Sequence, residues 1–187
     1  MIRFLGPAYF VAINRCRPQF RPLAHTTMTR AEIHQLFVAE FHQGKPAAPF
    51  ASSDIQRIES ELATVLPRSY TTFIETHGSI HTPSLLSLIV DGGHEQWDVM
   101  NFFDAAAVVN DTKNSWSAGM SEQLVGFASD SMGNFFCFRR VALGTSRADD
   151  AEIWFFDHEF CNDSKIADGF DEWLLSYIKL NREDMTT

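Results

Sequence analysis

The chain has 187 residues, of which 45% are hydrophobic and 21% are charged. This length fits one ordinary domain, and the composition excludes a disordered or a collagen-like chain. The 24 acidic and 15 basic residues give a net charge of −9, which disfavours binding of a phosphate backbone. Any partner is therefore expected to be basic or neutral.

The charge is divided unevenly along the chain. Residues 1–49 carry six bases and two acids, a charge of +4, whereas residues 50–187 carry −13. We predict that residues 1–49 form a basic N-terminal extension and that residues 50–181 form the main domain. Residues 1–27 are free of acids and contain three prolines. This pattern leaves open a targeting peptide, a disordered tail, or a true start at Met28.

Three helices are predicted in the first half of the chain. Thr29 and Glu32 have the spacing of a capping box, and a short amphipathic helix is expected to follow, ending near Gly44. Ser53 opens a second helix with an apolar stripe that Pro67 ends, and Pro67 also opens a third helix that stops before Gly78. These apolar positions recur at helical spacing: Ile55, Ile58, Leu62, Leu66, Tyr70, Phe73 and Ile74.

After Gly78 the pattern indicates strands. We predict strands over 85–90 and 97–103, joined by a hairpin at 91–94 with the sequence DGGH. Residues 104–116 are ambiguous between helix and loop. Further strands are predicted at 123–128, 135–139 and 151–156. The last element is a helix with apolar residues at i, i+3, i+4, i+7 and i+8 from Phe170, for which Asp168 is the expected N-cap.

In this order the motifs resemble those of the SUKH superfamily, the Smi/Knr-like group, over roughly residues 52–180. The similarity begins with the helix and Leu-Pro motif of residues 55–78. It continues with a strand, a turn and an aromatic strand, and ends with an acidic-aromatic motif and a Phe-x-x-Trp-Leu helix. The matching residues of these last two parts are Val125, Phe127, Asp130, Gly133, Asn134, Phe136, Phe138, Ile153, Trp154, Asp157, His158, Phe170, Trp173 and Leu174.

The resemblance implies a non-enzymatic α+β domain: a mostly antiparallel sheet flanked by two N-terminal helices and one C-terminal helix. Bacterial members of this group are typically immunity proteins that bind and neutralise toxins, whereas fungal members act in cell-wall regulation. The fold alone does not fix the partner. We therefore expect a protein partner, either a toxin domain with a basic surface or an endogenous enzyme. The sequence gives no prediction of the oligomeric state.

The acids that flank the predicted strands are the candidate binding residues. Acidic loops with an aromatic anchor suit a basic protein partner, because charge steers the encounter and a buried aromatic side chain supplies affinity. The alternative interpretation of each acid is an ordinary solvated face. The candidates are Asp91, His94, Glu95, Trp97, Asp98, Asp149, Asp150, Asp157, His158 and Glu159.

A small hydrolase that uses His158 as a general base is the weakest alternative. Asp157 and His158 are neighbours on a predicted strand end, where successive side chains point to opposite faces. We expect no catalytic residue, no cofactor and no metal, since the histidines lack ligand spacing. The three cysteines show no CxxC pair, and no apolar run reaches the roughly 18 residues of a membrane helix. A reducing, cytoplasmic location is therefore expected.

Overall fold

A computed structural model of the protein describes residues 28–45 and 47–184. The predictions for residues 1–27 lie outside this part of the chain. The described residues form six helices and five strands. In chain order these are α1 (Arg30–Phe41), α2 (Ser52–Glu61), α3 (Arg68–His77), α4 (Ser84–Gly92), β1 (Asn101–Phe102), α5 (Ala105–Ser117), β2 (Leu124–Ser129), β3 (Phe135–Arg139), β4 (Ile153–Asp157), β5 (Asn162–Ala167) and α6 (Phe170–Asp184).

The strands form one antiparallel meander in the order β1-β2-β3-β4-β5. One face of this sheet carries Phe127, Phe136 and Phe138, all of which are buried and contact aromatic rings of α6. Helices α1 and α3 pack on α6, and the Tyr70 ring of α3 also contacts Phe127 and Phe138 of the sheet. The predicted α+β architecture is confirmed, and its core lies between the sheet and the N- and C-terminal helices.

The first predicted helix is confirmed, with the expected capping box between Thr29 and Glu32. Its apolar face is part of the main core, because Phe37 is fully buried and its ring contacts those of Phe102 and Tyr177. The domain boundary that we place between residues 49 and 50 stays a prediction. Helix α1 nevertheless shares one hydrophobic core with the rest of the described chain.

The hairpin predicted over residues 85–103 is wrong. Residues 84–92 form α4, which ends at Gly93 in the left-handed conformation with φ of 66°. Leu85 and Ile89 are its buried residues, at the i and i+4 positions of one helical face. A short apolar run does not by itself distinguish helix from strand, and the Gly-Gly pair serves as a helix end rather than a hairpin turn. Of the predicted strand 97–103, only the two residues of β1 are in the sheet.

The structure settles the one ambiguous segment and differs from the prediction at two other places. Residues 104–116 are resolved as helix, since Asp104 caps α5 by accepting from the backbone N–H of Ala106 and Ala107. Strand β5 was not predicted, because its sequence NDSKIA is polar and lies exposed at the edge of the sheet. Helix α6 begins at Phe170, and its first N–H groups are bound by Asp150 rather than by the expected Asp168.

Candidate functional site

Three chain segments meet at one end of the sheet: residues 94–98, the β2–β3 turn at 130–134, and the β4–β5 turn at 157–161. In an antiparallel meander these two turns lie at the same end, and β1 begins beside them because Asn101 pairs with Ser129. We call these three segments the turn-end face. Seven of the ten candidate binding residues belong to it, and Asp91 lies just before it, exposed in the last turn of α4.

The β2–β3 turn is held by the buried carboxylate of Asp130. Its Oδ1 accepts from the backbone N–H of Met132 at 2.9 Å and of Asn134 at 2.7 Å, and its Oδ2 accepts from Asn134 Nδ2 at 2.7 Å. Gly133 has a φ of 94°, a conformation that favours glycine. The motif is therefore a capped β-turn, and it presents a fixed backbone to its neighbours.

The same asparagine connects the two turns. Asn134 Oδ1 accepts from the backbone N–H of His158 at 3.1 Å and lies 2.8 Å from its Nδ1. Since an amide oxygen only accepts, Nδ1 carries the proton, and Nε2 remains the acceptor of the neutral ring. Asp157 serves a different purpose: its Oδ1 accepts from the backbone N–H of Glu159 and of Phe160. His158 is therefore oriented by an amide group and not by the neighbouring carboxylate.

Asp98 links the segment 94–98 to the β2–β3 turn. It is 7% exposed, and its two carboxylate oxygens accept from the backbone N–H and the hydroxyl of Ser131. Burial raises the pKa of Asp98 above its ordinary value, and the charge of Asp130 acts in the same direction, although the Ser131 hydrogen bonds oppose both. Asp98 and Asp130 thus hold the face together from beneath and contribute negative potential to it.

Apolar side chains project from all three segments of the turn-end face. Phe160 is 74% exposed, Met132 is 69% exposed and Trp97 is 47% exposed. The ring of Trp97 stacks on that of Phe155 in β4 with 4.4 Å between centroids, so one side is fixed to the sheet. Met132 and Phe160 were missed by the sequence reasoning. The available signal was a large apolar residue within each polar turn, DSMGN and DHEFC.

The charged residues of the turn-end face are all acidic. Its three segments contain five Asp or Glu residues and no Lys or Arg. Glu95 and Glu159 are exposed, and Asp157 is half-buried. Among the described residues, none of these five acids forms an ion pair within 4 Å. The face is therefore negative, with apolar side chains at its tips and the ring of His158 beside them.

Asp149 and Asp150 lie at the opposite end of the sheet, in the β3–β4 connection. The side chain of Asp149 is 75% exposed but accepts from the Arg30 guanidinium at 2.8 Å. Asp150 is half-buried, and its Oδ1 accepts from the Ser69 hydroxyl at 2.6 Å and from the backbone N–H of Phe170 at 2.8 Å. The structure thus places these two candidates away from the others, in contacts that connect α1, α3 and α6.

Residues 28–45 and 47–184 contain no group of three or more His, Cys, Asp or Glu side chains placed to hold a metal ion. None of the helices formed by these residues combines the length and the apolar character needed to cross a bilayer. Cys137 is fully buried in β3, where burial raises the pKa of its thiol, so it acts as a small apolar residue of the sheet.

The chain matches the model of a family described as the SMI1 / KNR4 family (SUKH-1) over residues 49–176. This range begins after α1 and includes all five strands and the first part of α6, up to residue 176. The search of curated proteins found no match.

Proposed function

The chain belongs to the SMI1/KNR4 family (SUKH-1), and from this premise we propose that it is a non-enzymatic immunity protein. It acts by binding a cognate toxin in a fixed ratio and covering the toxin's working surface. The observation that carries the proposal is the turn-end face, which combines five acids, no base and three exposed apolar side chains. The proposal goes beyond the family membership, which supports a binding domain but does not distinguish a toxin from another protein partner.

The chemistry of this face defines the partner. The negative charge of the turn-end face accelerates encounter with a basic surface. Proteins use basic surfaces to bind nucleic acids or other anionic substrates. Exposed Phe and Trp side chains are strong anchors when a partner pocket removes them from water. The fixed turns reduce the entropy lost on binding, because Asp130 and Asp157 already hold the backbone of Met132 and Phe160 in place. The partner is thus a toxin domain with basic residues around an apolar pocket.

Isothermal titration calorimetry with the toxin domain encoded beside this gene tests the proposal. We expect saturable one-to-one binding, and Phe160→Ala is expected to weaken it by about 2 kcal/mol, roughly 30-fold. Leu143→Ala is the matched control, because Leu143 is 54% exposed in the β3–β4 connection at the other end of the sheet. Equal losses for both variants, or no binding to any neighbouring toxin domain, would count against this function.

A second experiment tests the negative charge of the turn-end face. Glu159→Lys is expected to slow association, with an effect that shrinks as salt is added, since screening removes the steering by exposed charges. Glu122→Lys reverses an exposed charge just before β2, at the opposite end of the sheet, and is expected to leave the rate nearly unchanged. An identical rate for Glu159→Lys and the unmodified protein would contradict the assigned surface.

The alternative is a regulatory or scaffold module that binds an endogenous enzyme through its N-terminal extension. Deleting residues 1–49 would not test it cleanly, because this deletion removes Ile33, Phe37 and Phe41 from the core. A start at Met28 retains α1 and is the better experiment. Toxin neutralisation is expected to survive it, whereas a scaffold that docks through residues 1–27 would lose its partner.

A further inference from the structure

Strand β5 is an open edge of the sheet. It pairs only with β4, and within the described chain its remaining backbone N–H and C=O groups have no hydrogen-bond partner on the outer side. Residues 162–165 are exposed and residues 166–167 are half-buried. A strand of six residues spans about 20 Å, which is long enough to pair with a peptide. Such a row of unpaired groups is a template for another strand.

A groove of about 420 Å³ lies beside this edge, between β5, the first turns of α6 and Gln96. Its apolar lining comes from Ile166, Ala167 and the Trp173 side chain. Its size falls within the range of ordinary ligand sites. The side chains of a strand alternate between two faces, so every second side chain of a strand added to β5 would be directed to the groove side.

The charged residues around the groove favour a basic occupant. Asp168, whose side chain is 76% exposed, and the exposed Glu172 line the groove. Lys165 is its one basic lining residue among those described, and its ammonium is already bound by Glu152 and Asp168. The groove therefore keeps an excess of negative charge at the end where α6 begins.

We propose that β5 and this groove form a peptide site that adds a strand to the sheet. Its occupant is an extended segment of another protein in which apolar side chains alternate with basic ones. The backbone of the segment pairs with the outer edge of β5, and the apolar side chains enter the groove. A basic side chain at the end of the segment, beyond the last paired residue, lies near Glu172 in the first turns of α6. This inference goes beyond the proposed immunity function, because β5 lies outside the turn-end face and the groove shares only Gln96 with it. A second copy of the chain is disfavoured as occupant, since each copy carries a net charge of −9 and the same acids beside β5.

The test uses the full chain and a capped eight-residue peptide of alternating valine and lysine. Two further peptides carry N-methyl groups on all valine amides or on all lysine amides. Neighbouring residues of a strand direct their N–H groups to opposite sides, so only one methylated peptide loses the donors that face β5. We expect that peptide to bind at least about 10-fold more weakly and the other to retain its affinity. Equal affinity of both methylated peptides, or no saturable binding at 1 mM, would overturn the proposal.

Amide hydrogen exchange and two protein variants locate the site. Alternate amides of residues 162–167 are expected to gain protection when the unmethylated peptide binds. Glu172→Lys is expected to weaken binding several-fold, whereas Glu75→Lys, an exposed acid on α3, serves as the matched control. Unchanged exchange in β5 would refute the site. If the chain forms concentration-dependent dimers and the β5 amides are protected in the absence of peptide, the edge binds a second copy of the chain. This result would also overturn the peptide proposal. None of these results depends on a toxin, so they stand apart from the proposed function.

Discussion

The replacement Phe37→Ala tests whether α1 is an integral part of the domain. Helix α1 lies outside residues 49–176, the range that the family model matches. This position is what one expects of an extension that does not share the core of the domain. The structure instead buries Phe37 completely, with ring centroids 5.2 Å from Phe41, 5.9 Å from Phe102 and 6.0 Å from Tyr177. These contacts come from α1, β1 and α6, so removing the ring opens a cavity where three elements meet.

Truncation of a fully buried Phe costs about 3–5 kcal/mol of unfolding free energy. For a protein of this size each kcal/mol lowers Tm by about 2–4 °C, so Phe37→Ala is expected to lower Tm by about 6–20 °C. Thermal unfolding followed by circular dichroism measures this. Gln35→Ala, at an exposed position of the same helix, is expected to change stability by less than about 0.5 kcal/mol. A loss below about 1 kcal/mol for Phe37→Ala would refute the conclusion that α1 shares the core.

Two further predictions concern carboxylates that connect the helices. Asp150→Ala is expected to lower the free energy of unfolding by about 1–3 kcal/mol, because it removes the cap of α6 and leaves the buried hydroxyl of Ser69 without its acceptor. Asp168→Ala is expected to lower it by no more than about 1 kcal/mol. Chemical denaturation measures both values, and equal losses would contradict the assignment of Asp150 as the cap. Burial opposes ionisation of Asp171, but its hydrogen bonds with His34 and Arg30 outweigh burial and lower its pKa. A lowered carboxyl pKa stabilises the fold above the unfolded-state value near 4 and loses that contribution as the pH falls through the folded-state value. The Asp171→Asn variant is therefore expected to be less stable at pH 7 and to lose less stability below about pH 4. Parallel profiles of unfolding free energy against pH for the variant and the unmodified protein would contradict this.

The elements predicted correctly from the sequence are those in which a local cap or turn signal occurs together with apolar residues that the core buries. Helix α1 has both a capping box and an apolar face, and β2 and β3 contain apolar residues on either side of a strong turn signal. Helix α4 was predicted as a strand because a run of six apolar or small residues fits the periodicity of a helix as well as that of a strand. Strand β5 has no alternating apolar pattern, because its first four residues are polar. It lies at an edge where backbone pairing with β4 decides the structure.

The candidate site was only partly predictable for a related reason. The sequence shows where acids and aromatic residues occur, but it does not show which carboxylates the fold uses internally. Asp149 and Glu95 look equivalent in the sequence, yet Asp149 pairs with Arg30, a residue 119 positions away. The cap that Asp150 provides for α6 likewise bridges 20 positions. Contacts of this kind depend on the tertiary arrangement, which no local pattern encodes.

These internal contacts also change what the charge of −13 on residues 50–187 means. A strongly acidic domain is not by itself a binding surface, because acids such as Asp149 and Asp171 neutralise the bases that attach α1. The acids of the turn-end face differ, since within the described chain they form no ion pair within 4 Å and their turns are fixed by Asp130 and Asn134. Uncompensated charge then coincides with exposed apolar side chains and a rigid backbone. It is this coincidence, rather than the net charge, that distinguishes one end of the sheet as a surface suited to a basic protein partner.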